Sequence, residues 1–84
     1  MKISVEISYY PLTEQYIAPI KGFIERLRLN ENLVVNTNGM STQVFGEYDE
    51  VFATLTKEIK KSFELPHSIF VMKVINNDLQ KIPS

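Results

Sequence analysis

Cysteine is absent from the 84 residues, which rules out disulfides and thiolate metal sites and makes a reducing compartment the simple reading. Histidine occurs once, at His67, so neither a histidine relay nor a histidine-built metal centre can be assembled. An excess of one charge is lacking too. Nine Lys and Arg against ten Asp and Glu leave a net charge of −1, with no broad basic field to attract nucleic acid. No apolar run approaches the ~20 residues that a membrane span needs. Residues Met1 to Glu6 lack the apolar core of a signal peptide. The expectation is a cytoplasmic chain with no nucleic-acid partner and no membrane insertion. Asp49 and Glu50 read as charges at a helix start, and no other carboxylate pair has a spacing suited to acid–base work. No catalytic residue and no metal ligand is expected, so the chain does not read as an enzyme.

Hydrophobic residues make up 44% of the chain and charged residues 23%, the balance of a globular domain. A chain this short buries a modest fraction of its surface, so self-association is expected. Lys2 to Tyr10 alternates, with Ile3, Val5, Ile7 and Tyr9 on one face and Ser4, Glu6, Ser8 and Tyr10 on the other. Pro11 closes that strand. Ile17, Ile20, Phe23, Ile24 and Leu27 follow helical spacing. Pro19 is tolerated only in a first turn, so the helix should begin near Ile17 to Pro19. Gly22 inside it suggests a close approach of helix to sheet. Leu33 to Thr37 and Met40 to Glu47 read as two strands joined at Asn38-Gly39, the pair favoured in a two-residue type I′ turn. That turn sets Thr37 opposite Met40, Asn36 opposite Ser41, Val35 opposite Thr42 and Val34 opposite Gln43. Tyr48 to Phe63 carries Val51, Leu55 and Ile59 at intervals of four, with acids at its start and lysines at its end. Ser68 to Ile75 reads as a fourth strand.

The order β-α-β-β-α-β predicts an α+β, ferredoxin-like sandwich: a four-stranded antiparallel sheet, order 4-1-3-2, with two helices on one face. The first and third strands are expected at its centre and mutually parallel. One domain spans residues 1–76, and residues 77–84 form a loose C-terminal tail. The helix-free face then carries Glu6, Ser8, Tyr10, Val34, Asn36, Ser41, Gln43 and Phe45. It is too apolar at Val34 and Phe45 for simple solvent contact, and it suits an oligomer interface, a ligand surface, or both.

Two segments, Ile7-Ser8-Tyr9-Tyr10-Pro11-Leu12 and Thr37-Asn38-Gly39-Met40-Ser41-Thr42-Gln43-Val44-Phe45-Gly46-Glu47, resemble the thiamine and hydroxymethylpyrimidine-binding proteins, the YkoF-like family. The resemblance runs from about Ile3 to Phe63. It implies a ferredoxin-like fold, assembly into dimers or tetramers, a bound thiamine or its pyrimidine half, and no established catalysis. Some members carry this domain twice in tandem; this chain has one copy. By position, Ser8, Tyr10, Thr37, Ser41 and Thr42 match the family pattern, and Glu6 stands where the best-known member carries an amide. Thiamine or hydroxymethylpyrimidine is thus expected as a bound ligand and not as a cofactor.

The residue types fit that chemistry. An aminopyrimidine is a flat disc with ring nitrogens and an exocyclic amine, which needs a few aimed polar groups beside an apolar wall. Ser8, Asn36, Ser41 and Thr42 could supply the groups, and Tyr9, Tyr10 or Phe45 the wall. A thiazolium cation would favour an aromatic face or Glu6. Two placements stay open: on the bare sheet face, or between sheet and helices, where Thr37 and Thr42 become the contacts. The plainer reading of those two threonines is a bond to each other across the ladder. The alternative function is a non-catalytic regulatory module that oligomerises through its sheet.

Overall fold

A computed structural model describes residues 1–65 and 67–81. Pro66, and the last three positions of the expected tail including Pro83, lie outside the described residues. The elements are β1 (Lys2–Pro11), α1 (Ile17–Arg28), β2 (Val34–Thr37), β3 (Thr42–Glu47), α2 (Tyr48–Ser62), β4 (Ser68–Ile75) and a 3-10 turn (Leu79–Lys81). The sheet order is β2-β3-β1-β4, and every neighbouring pair is antiparallel. The ferredoxin-like expectation holds. The parallel pairing expected of β1 and β3 does not: they run antiparallel. The reason is topological. The α1 crossover returns β2 in the direction of β1, and the hairpin then reverses β3.

The core forms where the alternating face of β1 meets the helices. Ile3, Val5, Ile7 and Tyr9 pack with Val44 of β3, with Phe23 and Leu27 of α1, and with Val51 and Leu55 of α2. Each such buried side chain contributes roughly 1.5–3 kcal/mol. α1 begins at Ile17, which leaves Pro19 inside its first turn, where a missing N–H costs nothing. Its apolar stripe starts one turn later than the spacing suggests, because Ile17 is exposed. Between the helices, Arg26 Nε donates to Glu58 Oε1 at 2.8 Å and its Nη2 to Ser62 Oγ at 2.9 Å. Neither Glu58 nor Ser62 stands out in the sequence as buried. Asn30 Nδ2 donates to Glu50 Oε1 at 2.8 Å and thereby ties the α1–β2 connection to the start of α2. That amide, with Asn32 second, holds the Glu50 carboxyl below its ordinary range. Its ionised form is favoured by folding, so this contribution is present at neutral pH and is lost as pH falls through the lowered value.

The hairpin departs from the expected register. Thr37 pairs with Thr42, Asn36 with Gln43, Val35 with Val44 and Val34 with Phe45, which leaves a four-residue loop, Asn38 to Ser41. No described residue has a positive φ, so Asn38-Gly39 is not a type I′ turn. Asn38 acts through its side chain instead: Oδ1 accepts from the Met40 N–H at 2.7 Å and from the Ser41 N–H at 3.1 Å. A slip of two residues preserves which side chains share a face. The close approach expected at Gly22 lies instead at Gly46. A Cβ there would sit 2.8 Å from Leu33 Cδ2 and 3.3 Å from Val51 Cγ2.

The expected loose tail is anchored in its first part. Ser4 Oγ donates to the Asn77 carbonyl at 2.7 Å and accepts from the Leu79 N–H at 2.8 Å. This brings the 3-10 turn onto the helix-free face beside Phe45, which is only 7% exposed. Gly46→Ala is expected to destabilise the fold by about 1–3 kcal/mol in urea unfolding, through overpacking against Leu33 and Val51. Gly39→Ala, where an added Cβ meets nothing within 4 Å, is expected to change stability by no more than ~0.5 kcal/mol.

Candidate functional site

The ladder sets Ile7 of β1 beside Thr42 of β3, and Thr42 beside Thr37 of β2. This row lies at the end of the sheet, next to the hairpin loop. The first half of α1 crosses above it. Between them opens a hollow of about 390 Å³, walled by β1 from Ile7 to Pro11 with Leu12, by Tyr16, Ile20, Phe23 and Ile24, and by the loop from Thr37 to Thr42. Its walls are mostly apolar and no charged side chain lines it. The polar feature is a hydroxyl pair: Thr37 Oγ1 and Thr42 Oγ1 stand 3.1 Å apart. The cross-strand bond read from sequence is therefore present, and the same pair faces a cavity. Thr42 is buried and Thr37 is exposed towards the hairpin end. A hydroxyl carries one donor and two lone pairs, so the pair keeps capacity for a further partner.

Five of the seven expected residues line this hollow: Ser8, Tyr10, Thr37, Ser41 and Thr42. They do not contribute alike. The Ser41 hydroxyl donates to Glu6 Oε2 at 3.1 Å, which turns it to the opposite face of the sheet. The Ser8 hydroxyl lies 3.5 Å from the Met40 carbonyl. Tyr10 is half exposed at the rim. The other two, Glu6 and Asn36, lie along a second hollow of about 550 Å³ on the helix-free face. Its lining includes Ser4, Gln43, Phe45, Lys73, Ile75 and Leu79. There Glu6 Oε1 faces Lys73 Nζ at 3.6 Å, an exposed ion pair. The sheet itself divides the expected set: Glu6, Ser8, Tyr10, Asn36 and Ser41 belong to the face away from the helices, and Thr37 and Thr42 point towards them.

Aromatic walls fall out in the same way. The Tyr9 ring stacks on Phe70 at 4.3 Å and meets the Phe23 edge at 5.6 Å, so it backs the first hollow as a fixed part of the core. Phe45 belongs to the second hollow. Tyr16, expected only to pack, is half exposed at the mouth of the first. Its position just before a helix whose start has no side-chain cap was the available signal. Among the described residues, no group of three or more His, Asp or Glu could hold a metal ion. No helix of the described residues is long and apolar enough to cross a membrane.

Fold and hollow together define a small α+β domain with an uncharged hollow between sheet and helix. The chain belongs to the YKOF-related family, whose pattern it matches over residues 2–76. No curated protein matches the sequence. Among solved structures, a Streptococcus pneumoniae protein is similar with a TM-score of 0.85 at 24% identity, covering 98% of this chain and 93% of its own. A Thermotoga maritima protein, provisionally assigned to thiamine biosynthesis or salvage, is similar with a TM-score of 0.82 at 16% identity, covering 92% and 85%. A domain of unknown function from Bacillus cereus is similar with a TM-score of 0.77 at 14% identity, covering 98% and 88%. At these identities the structures establish the shared fold.

Thr42→Val removes the buried hydroxyl of the pair at nearly constant volume and is expected to destabilise the chain by about 1 kcal/mol in urea unfolding. Ser41→Ala, which loses only a bond to the part-exposed Glu6, is expected to cost less than ~0.5 kcal/mol.

Proposed function

We propose that this chain binds thiamine or its hydroxymethylpyrimidine moiety, without catalysis, in cytoplasmic uptake or salvage of the vitamin. The observation that carries the reading is the threonine pair set in an apolar hollow of about 390 Å³. Membership of the YKOF-related family and the provisional assignment of the similar Thermotoga protein support it. Thr37 and Thr42 would meet the ring nitrogens and the exocyclic amine. Ile20, Phe23 and Ile24 would cover the ring. Of the two placements open in the sequence, the space between sheet and helix is favoured.

The absence of charge in the hollow shapes the expectation further. Glu6 lies on the opposite face and already has Lys73 beside it. A thiazolium cation therefore has no carboxylate to meet inside, and it would sit at the mouth near Tyr16. The neutral pyrimidine would carry most of the affinity. The same reading has the chain working as a homo-oligomer, a dimer or a tetramer. The apolar side chains that β4 leaves exposed support this.

Isothermal titration tests the ligand. One site per chain is expected, with the free pyrimidine bound within about tenfold of thiamine, a difference of ~1.4 kcal/mol. Ligand at a hundredfold excess over Kd should add about 2.7 kcal/mol of stability, a rise in melting temperature of about 11–22 °C. Thr42→Val should remove the heat of binding while leaving the assembly intact. An absence of heat and of thermal shift at millimolar thiamine and pyrimidine would contradict the proposal.

A further inference from the structure

One rung of the sheet crosses all four strands with polar side chains. Asn36 of β2 pairs with Gln43 of β3, Gln43 with Glu6 of β1, and Glu6 with Lys73 of β4. All four belong to the helix-free face, since paired residues share a face. The next rung on that face is Val34, Phe45, Ser4 and Ile75, apolar except for the serine. Ser4 has its hydroxyl committed to the Asn77 carbonyl and the Leu79 N–H, and it thereby holds the 3-10 turn over this rung. The hollow of about 550 Å³ therefore has a charged floor on one side and an apolar wall on the other. The polar rung is not closed upon itself. The side-chain amides of Asn36 and Gln43 bond to no protein group among the described residues. Glu6 Oε2 accepts from the Ser41 hydroxyl at 3.1 Å, while Oε1 lies 3.6 Å from Lys73 Nζ, longer than a direct charge-assisted hydrogen bond. The Lys73 side chain is 84% exposed, so the pair is wet and weak by itself.

A carboxylate and an ammonium side by side select by charge. A lone anion drawn to Lys73 meets Glu6 beside it, and a lone cation drawn to Glu6 meets Lys73. A neutral apolar molecule would strip water from both charges and return nothing to them. A molecule that carries both charges on one carbon can lay them head to tail against the protein's own pair and satisfy both. We propose that this hollow binds a zwitterionic α-amino acid with an apolar side chain. The ligand ammonium sits over Glu6. Gln43 stands on the neighbouring strand, ~4.8 Å away, and its side-chain carbonyl accepts a further hydrogen bond from that ammonium. The ligand carboxylate takes the Lys73 ammonium, which is free to swing over it. The apolar side chain lies across the next rung, against Ile75 and Leu79, 43% and 40% exposed, with Phe45 behind them. Asn36 stands one strand further on and takes no part. The site is on the opposite face of the sheet from the threonine pair and does not rest on the pyrimidine reading.

Backbone amide shifts followed by NMR during titration with leucine test the proposal. Saturable changes are expected at Gln43, Phe45, Lys73 and Leu79, with a Kd of ~1 mM, as suits a site built on an exposed pair. Three probes each remove one element of the match. N-acetyl-leucine lacks the cation, leucinamide lacks the anion, and glycine lacks the apolar side chain. Each should bind at least about tenfold more weakly than leucine. Lys73→Ala, at an exposed position, should weaken leucine by a similar factor. So should Glu6→Gln, which still accepts from Ser41. Both variants should keep the circular dichroism spectrum of the unaltered chain. No saturable change at leucine concentrations well above ~1 mM would overturn the proposal. Equal binding of leucine, leucinamide and N-acetyl-leucine would overturn it as well, since the hollow would then select by apolar shape alone. Changes gathered at Thr37, Thr42 and Ile20 would put the amino acid in the other hollow and overturn it equally.

Discussion

One row of three residues across three strands, Ile7, Thr42 and Thr37, sets the geometry on which the site depends. β1 fixes it from one side, because its alternating apolar face is locked under both helices. The four-residue hairpin fixes it from the other, because only that loop length brings Thr37 opposite Thr42. The two hydroxyls then bond each other at 3.1 Å, which satisfies the buried Thr42 where an unpaired polar group would be costly. They remain able to take on a further hydrogen bond. Under the proposed reading, hydroxyls held in place by the strand pairing would lower the ordering cost of binding.

The sheet acts as a divider. Towards the helices lies the uncharged hollow with the threonine pair. Away from them lies a larger hollow beneath the Leu79 turn, with Glu6 and Lys73 beside it. Ser41 connects the two, since it lines the first and donates its hydroxyl to Glu6. β4 lies outside this division. Among the described residues its far side has no neighbouring strand, and apolar side chains are exposed on both of its faces.

Much of this was legible in the residues. Alternation in β1, the four-residue spacing in α2 and the position of Pro19 gave the element order and the bounds of both helices nearly to the residue. The faces of β2 and β3 were also right, because the true register differs by two residues and side-chain parity repeats every two. The loop itself was misjudged: Asn38-Gly39 is a strong turn signal, yet Asn38 uses its carbonyl oxygen to hold the Met40 and Ser41 amides, which no dipeptide rule anticipates. The relative direction of β1 and β3 was misjudged as well. Ser4 looked like a solvent-facing strand serine, and only tertiary structure shows that it anchors the Asn77 carbonyl and the Leu79 amide. The separation of Glu6 and Asn36 from Thr37 and Thr42 was implicit in the alternation. It became decisive only once two distinct hollows were seen.

The central claim is a location: a flat heterocycle held on the helix side of the sheet by the threonine row. Backbone amide chemical shifts followed by NMR during titration with hydroxymethylpyrimidine test it most directly. The account predicts that the largest changes fall on Thr37, Thr42, Tyr16, Ile20 and Ile24, with Gln43, Phe45 and Lys73 nearly still. Changes gathered on Gln43, Phe45 and Lys73 instead, or no saturable change anywhere, would contradict it.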